Sequence, residues 1–235
     1  MSMDLTIVTC NYNTPELITN LMVSIAKTCE DIPQVLVIST GEYPLLKPVK
    51  PLWRNHYIPN SSHGDAINES FNLAKTRYML LVDSDVLFLK DFYEPYEKFK
   101  EGGFALMGEV VGDRGGKSLY PRVNPWFCFI DLEQLQEHDI KFYDHYRTKM
   151  MISDRIYDIG STMFEDVLKA GLTVADAKME NKYFRHYEGM SWRVQKYNPD
   201  NGDTDIDIGG THDNKALYEY GLKVREQYEG DVANL

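Results

Sequence analysis

Leu5-Thr6-Ile7-Val8-Thr9 is an apolar, β-branched run without helical spacing, and it predicts a buried strand. Thr14-Pro15 follows as a helix cap and first helical position, and Leu17, Ile18, Leu21, Met22 and Ile25 then recur on one helical face. Val35-Leu36-Val37-Ile38 reads as a second fully buried strand, so strand, helix and strand imply a parallel crossover. After a connection containing Pro44, Pro48 and Pro51, a weak strand is expected at His56–Ile58. Asn60-Ser61-Ser62 then caps a helix from about His63 to Lys75, with Ile67, Phe71 and Ala74 inward. Tyr78-Met79-Leu80-Leu81-Val82 is the strongest strand signal and stops abruptly at Asp83-Ser84-Asp85. The fold class is therefore α/β, a Rossmann-like single domain with a mostly parallel central sheet flanked by helices. Open sheets of this kind bind ligands at the carboxyl ends of their strands, where Thr9–Asn13 and Asp83–Asp85 both fall.

The second half is less regular. Strands are expected at Phe104–Val111 and Trp126–Ile130, with a turn at Arg114-Gly115-Gly116. Met163, Phe164, Val167 and Leu168 form a helix face closed by Gly171. Residues 197–213, rich in Asn, Asp, Gly and Pro, read as a flexible segment. Of the 235 residues 43% are hydrophobic, which excludes global disorder, and 25 Lys and Arg against 36 Asp and Glu give a net charge of −11. That charge excludes a simple electrostatic grip on nucleic acid. The apolar runs fall far short of the roughly 20 residues that cross a bilayer, and no secretory signal opens the chain. Cys10, Cys29 and Cys128 are odd in number and widely spaced, which fits free thiols and a cytoplasmic location.

Two carboxylates one residue apart beyond a buried strand repel each other unless a cation lies between them. Hard oxygen ligands suit Mg2+ or Mn2+, and an added imidazole tilts the choice toward Mn2+. Such an ion also gives an acidic protein a means of holding a diphosphate.

Three segments, Leu5–Asn13, His63-Gly64-Asp65-Ala66-Ile67-Asn68 and Tyr78–Asp85, in this order and spacing, resemble glycosyltransferase family 2 and related enzymes of the GT-A fold. The resemblance covers roughly the first hundred residues. It implies a nucleotide-diphosphate-sugar donor, with Thr9 and Asn11 near its base and ribose and with His63, Gly64 and Asn68 on the helix facing it. Asp83, Ser84 and Asp85 would form the Asp-x-Asp element, Asp83 meeting ribose and metal and Asp85 the metal directly. It implies a donor-binding half over residues 1–103 and an acceptor half over 104–235. The second strand ends Ser39-Thr40-Gly41-Glu42 rather than in the acid that often contacts the base, so the base stays open. Enzymes of this fold commonly take a third metal ligand from a late histidine. His186, in Phe184-Arg185-His186-Tyr187-Glu188-Gly189, fits better than His212.

An inverting transfer also needs a carboxylate to take the acceptor's hydroxyl proton. Asp158, in an Asp-x-Gly element before a helix, is preferred to Asp166, in the pair Glu165-Asp166; otherwise Asp158 would be an ordinary helix cap. Trp126 and Trp192 are placed against the acceptor, a glycan or glycolipid, and Arg122 and Arg193 are candidates for phosphate or sugar hydroxyls. Two rival readings remain. One is a haloacid-dehalogenase-like phosphatase with Asp83 as nucleophile, though that motif normally opens its chain; the other is a non-catalytic sugar-binding protein. A nicotinamide enzyme ranks lower still, because the turn from Thr9 to Pro15 has no glycine and so no GxGxxG.

Overall fold

The computed structural model describes residues 3–40, 53–59, 61–112, 120–142, 157, 159–190 and 214–235. The expected turn at residues 114–116, the segment 197–213, Asp158, Trp192, Arg193 and His212 lie outside the described residues. The first half follows the alternation read from the chain. β1 (Leu5–Asn11), α1 (Pro15–Thr28), β2 (Gln34–Ser39), β3 (Trp53–Tyr57), α2 (His63–Leu73) and β4 (Tyr78–Val82) succeed one another. Pro15 stands in the first turn of α1, where a backbone N–H has no helical partner anyway. Ser62 caps α2 by accepting from the Asp65 N–H and donating its hydroxyl to the Asp65 carboxylate.

β5 (Val86–Phe88), α3 (Tyr93–Gly102), β6 (Leu106–Gly108), β7 (Val110–Val111), β8 (Arg122–Val123) and β9 (Phe127–Asp131) come next. They are followed by α4 (Leu132–Glu137), α5 (Ser161–Lys169), β10 (Val174–Asp176), β11 (Phe184–His186) and α6 (Asn214–Ala233). The central sheet has the order β10-β6-β9-β4-β1-β2-β3. Its pairings are parallel except for β9, which runs antiparallel to both β4 and β6. Two ribbons stand apart, β5 with β11 and β7 with β8, both antiparallel.

Strand alternation sorts the core into two layers. Leu5, Ile7, Val35, Val37, Leu80, Val82, Phe127 and Phe129 pack with Ile18, Leu21 and Ile25 of α1 and Tyr96 and Phe99 of α3. Val8, Leu36, Ile38, Met79, Leu81, Cys128 and Ile130 pack on the other face with Ile67 and Phe71 of α2, Leu135 of α4 and Met163, Phe164 and Val167 of α5. Every strand of the middle thus serves both layers, which is why these segments are continuously apolar.

Two expectations are corrected. The strand expected over Phe104–Val111 breaks after Gly108, and its last residues leave the main sheet for the β7–β8 ribbon. A Cβ at Gly108 would stand 2.6 Å from Val123 and 3.0 Å from the Phe127 carbonyl, so backbone and β8 approach too closely there for a continuous pleat. Leu168 is 49% exposed, because it lies a further 100° around the helix from Val167 and past the inward stripe. The cap residue of α5 is Gly160, at φ 87°. Among the described residues no helix is long and apolar enough to cross a membrane, and the three cysteines are free, Cys10 half-buried and the others buried.

Candidate functional site

The apolar burial of β4 ends at Val82, and the chain turns immediately into Asp83-Ser84-Asp85 before β5 begins. This places the acid pair at the carboxyl edge of the sheet's middle. β11 pairs with β5 in a register that sets His186 opposite Val86, and the Tyr187 N–H continues the ladder by donating to the Asp85 carbonyl at 2.9 Å. His186 Nε2 consequently lies 3.3 Å from Asp85 Oδ1 and 3.9 Å from Asp83 Oδ2. One ligand atom from each of the three residues falls within 4.8 Å of the others, the spacing of a site for a single ion. Trp126 closes one side. Its ring stacks on the imidazole at 4.6 Å, and its carbonyl accepts from the Asp83 N–H.

Asp85 is buried and Asp83 partly so. Burial, and then the charge of Asp85, push the Asp83 carboxyl above its ordinary value, against the opposing pull of His63, His186 and Arg122. Burial works to lower the His186 value, but the hydrogen bond and charge of Asp85 and the charge of Asp83 outweigh it, and the net shift is upward. Two acids are thus crowded about one imidazole, a donor set of oxygens and one nitrogen suited to Mn2+ or Mg2+.

Around this corner the other predicted residues take different stations. Thr9 sits opposite Val82 in the β1–β4 register, and its fully buried hydroxyl has no hydrogen-bond partner among the described residues. Asn11 is committed within the scaffold: its amide donates to Ser39 Oγ at 3.2 Å and its carbonyl oxygen accepts from the Thr14 N–H at 3.0 Å. Asn68 likewise accepts from the Phe142 N–H at 2.8 Å. His63 opens α2 from an exposed position, with Gly64 buried behind it. Arg122 donates to the Ile159 carbonyl at 3.2 Å, and Tyr157 stacks on Tyr120 at 4.6 Å, so both neighbours of Asp158 in the chain are fastened near the β8 ribbon. Glu165, beside Asp166, pairs with Lys169 one helical turn on.

The sequence reading missed what stands beyond His186. A cavity of about 250 Å³ is lined by Glu109, Trp126, Glu180, His186, Glu188 and residues of α6. A wider groove between the start of α1 and α6 holds none of the three clustered residues. The helix α6 itself was legible in principle, because Val224, Tyr228 and Val232 recur every four residues.

A sheet of this order with an acid pair and a histidine at its carboxyl edge defines the GT-A class of glycosyltransferase fold. The family model of glycosyl transferase family 2 matches residues 6–160, most of the chain, and the protein belongs to that family. It is a glycosyltransferase, which sets the phosphatase and non-catalytic readings aside. No curated protein matches the sequence. Among solved structures, S. aureus TarS 1–349 is 16% identical with a TM-score of 0.51, over 96% of this chain and 72% of that one. The galactosyltransferase LgtC, in complex with donor and acceptor sugar analogues, is 14% identical with a TM-score of 0.55, over 96% and 99%. The mannosyltransferase PcManGT from Pyrobaculum calidifontis, in complex with GDP-Man and Mn2+, is 10% identical with a TM-score of 0.51, over 98% and 76%. These likenesses are of fold, and the chain spans only 43% of the longer TarS structure.

Proposed function

We propose that the protein transfers a sugar, with inversion, from a nucleotide-diphosphate-sugar to a hydroxyl of a glycan or glycolipid acceptor in the cytoplasm, using Mn2+ or Mg2+ held by Asp83, Asp85 and His186. The observation that carries this reading is the convergence of those three ligand atoms within 4.8 Å at the end of β4. The donor set fits the ion, and the presence of Mn2+ and GDP-Man together in the PcManGT complex supports it by likeness of fold. When bound, such an ion offsets charge on the departing diphosphate. The site is divided between a donor half, residues 1–103, and an acceptor half, residues 104–235, of one domain.

The chain's own residues then have distinct tasks. Asp83 and Ser84 meet the ribose, the unpartnered Thr9 hydroxyl and Asn11 shape the nucleotide end, and His63, Gly64 and Asn68 form the facing helix start. Trp126 and Trp192 pack on the acceptor. Asp158 takes the acceptor's hydroxyl proton as that oxygen bonds to the anomeric carbon, and the bond from that carbon to the diphosphate breaks with its electron pair leaving on phosphate. Support for Asp158 comes from its neighbours Tyr157 and Ile159, which are tied to Tyr120 and to Arg122, whose charge is felt at Asp83.

The test is hydrolysis of UDP-, GDP- and dTDP-sugars with Mn2+. One donor is expected to turn over slowly and to stop on chelation, and hydrolysis indifferent to chelation would reject the metal reading. Asp158→Asn should keep donor affinity while lowering transfer by at least about 100-fold. Normal transfer in that variant removes Asp158 as the base.

A further inference from the structure

β11 is three residues long and pairs with the equally short β5, and a two-stranded ribbon of that size does not hold its geometry unaided. One face of β11 is fixed by aromatic stacking, Phe184 on Phe127 at 4.2 Å and His186 on Trp126 at 4.6 Å. Alternation sends the side chains on either side of His186 to the opposite face. There both meet the same atom of α6: Arg185 Nη1 donates to Asp231 Oδ2 at 2.6 Å, and the Tyr187 hydroxyl donates to Asp231 Oδ2 at 2.5 Å. Tyr187, itself buried, also meets the ring of Tyr228 edge-on at 4.9 Å, three residues earlier on α6.

We infer that Asp231 is a positioning residue for metal binding, a single carboxylate on the last helix that grips both neighbours of His186 and so holds the imidazole over the acid pair. The inference rests on the metal reading proposed above and extends it to a residue 44 and 46 positions along the chain from the two partners it grips, Tyr187 and Arg185. Asp231 touches neither ion nor substrate; it acts through the backbone on either side of the third ligand. Loss of a partner that orients a metal ligand typically costs about 10–100-fold in metal affinity.

The experiment is titration of free Mn2+ by electron paramagnetic resonance, without any nucleotide, on the whole chain, with melting temperatures measured on the same samples. Wild type should take up Mn2+ and His186→Ala should not. Asp231→Asn, which keeps the side chain's size, should raise the Mn2+ dissociation constant by about tenfold. Tyr187→Phe, removing one of the two bonds, should fall between. Val232→Ala loosens the same α6 cluster without removing a hydrogen bond to β11, and it should lower the melting temperature while leaving Mn2+ affinity within about twofold of wild type. Unchanged affinity in Asp231→Asn, or an equal loss in Val232→Ala, overturns the inference and leaves the metal reading standing. Wild-type protein that takes up no Mn2+ overturns the metal reading, and the positioning role with it.

Discussion

The two ends of β4 each carry a buried aspartate, and they are built in opposite ways. At the amino end, Asp131 on the adjoining β9 is met by Arg77 through Nε and Nη2, with the shortest contact 2.8 Å, and it also accepts from the Gln134 N–H as the cap of α4. At the carboxyl end, Asp85 lies beside a second acid, and among the described residues the ion pairs of both are to His186 alone. A guanidinium with several hydrogen bonds satisfies a buried carboxylate completely, whereas one imidazole shared between two carboxylates leaves negative charge in excess. The first arrangement serves stability, and the second crowds like charge where the proposed cation would sit.

That contrast can be broken by exchanging the insult between the two ends. The largest effect expected is on activity: Asp85→Ala should lower metal-dependent turnover by about 1000-fold or more, while the melting temperature stays level or rises because a like-charge contact has gone. A large loss of stability would show that Asp85 serves the fold. Next, Asp131→Ala should destabilise by about 2–3 kcal/mol, through loss of charge-assisted bonds and of a helix cap, with Mn2+ affinity unchanged. The cost is moderate because Arg77 remains half-exposed and can return to water. Denaturant unfolding with a parallel Mn2+ titration separates the two, and weakened Mn2+ binding in Asp131→Ala would erase the distinction.

A third and smaller effect sharpens the comparison with acid. Asp231 is held below the ordinary aspartate value, first by the Tyr187 hydroxyl, with burial opposing and Arg185 assisting. Its contribution is therefore complete above the unfolded carboxylate value of about 3.9 and is lost as pH falls through the lower folded value. Hydrogen-exchange protection across α6, taken relative to the intrinsic rate at each pH, should fall in wild type as pH drops below about 3.9 and change less in Asp231→Asn. Equal acid sensitivity in the two proteins removes Asp231 as the source.

The same contrast explains how much was legible beforehand. Tyr78–Val82 announces itself because burial in two layers demands an unbroken apolar run, and Asp83 and Asp85 stand out by ending it. The late histidine was found only by resemblance, because nothing local to Phe184–His186 tells that β11 pairs with a strand about a hundred residues earlier. Asn11 and Asn68 carry a further role: their amides hold a turn and neighbouring backbone, which no spacing along the chain reveals. The clamp at Asp231 was invisible for the same reason: its meaning lies in Arg185 and Tyr187, and a lone acid on an amphipathic helix normally faces water.

The ribbon that carries His186 has a consequence for biosynthesis. A ribosome releases the twin acids long before it makes the imidazole that completes them, so a growing chain has no finished chelating corner to capture ions wrongly. On the metal reading proposed above, ion capture would become competent only after β11 has paired, which would tie the onset of catalysis to completion of the tertiary fold.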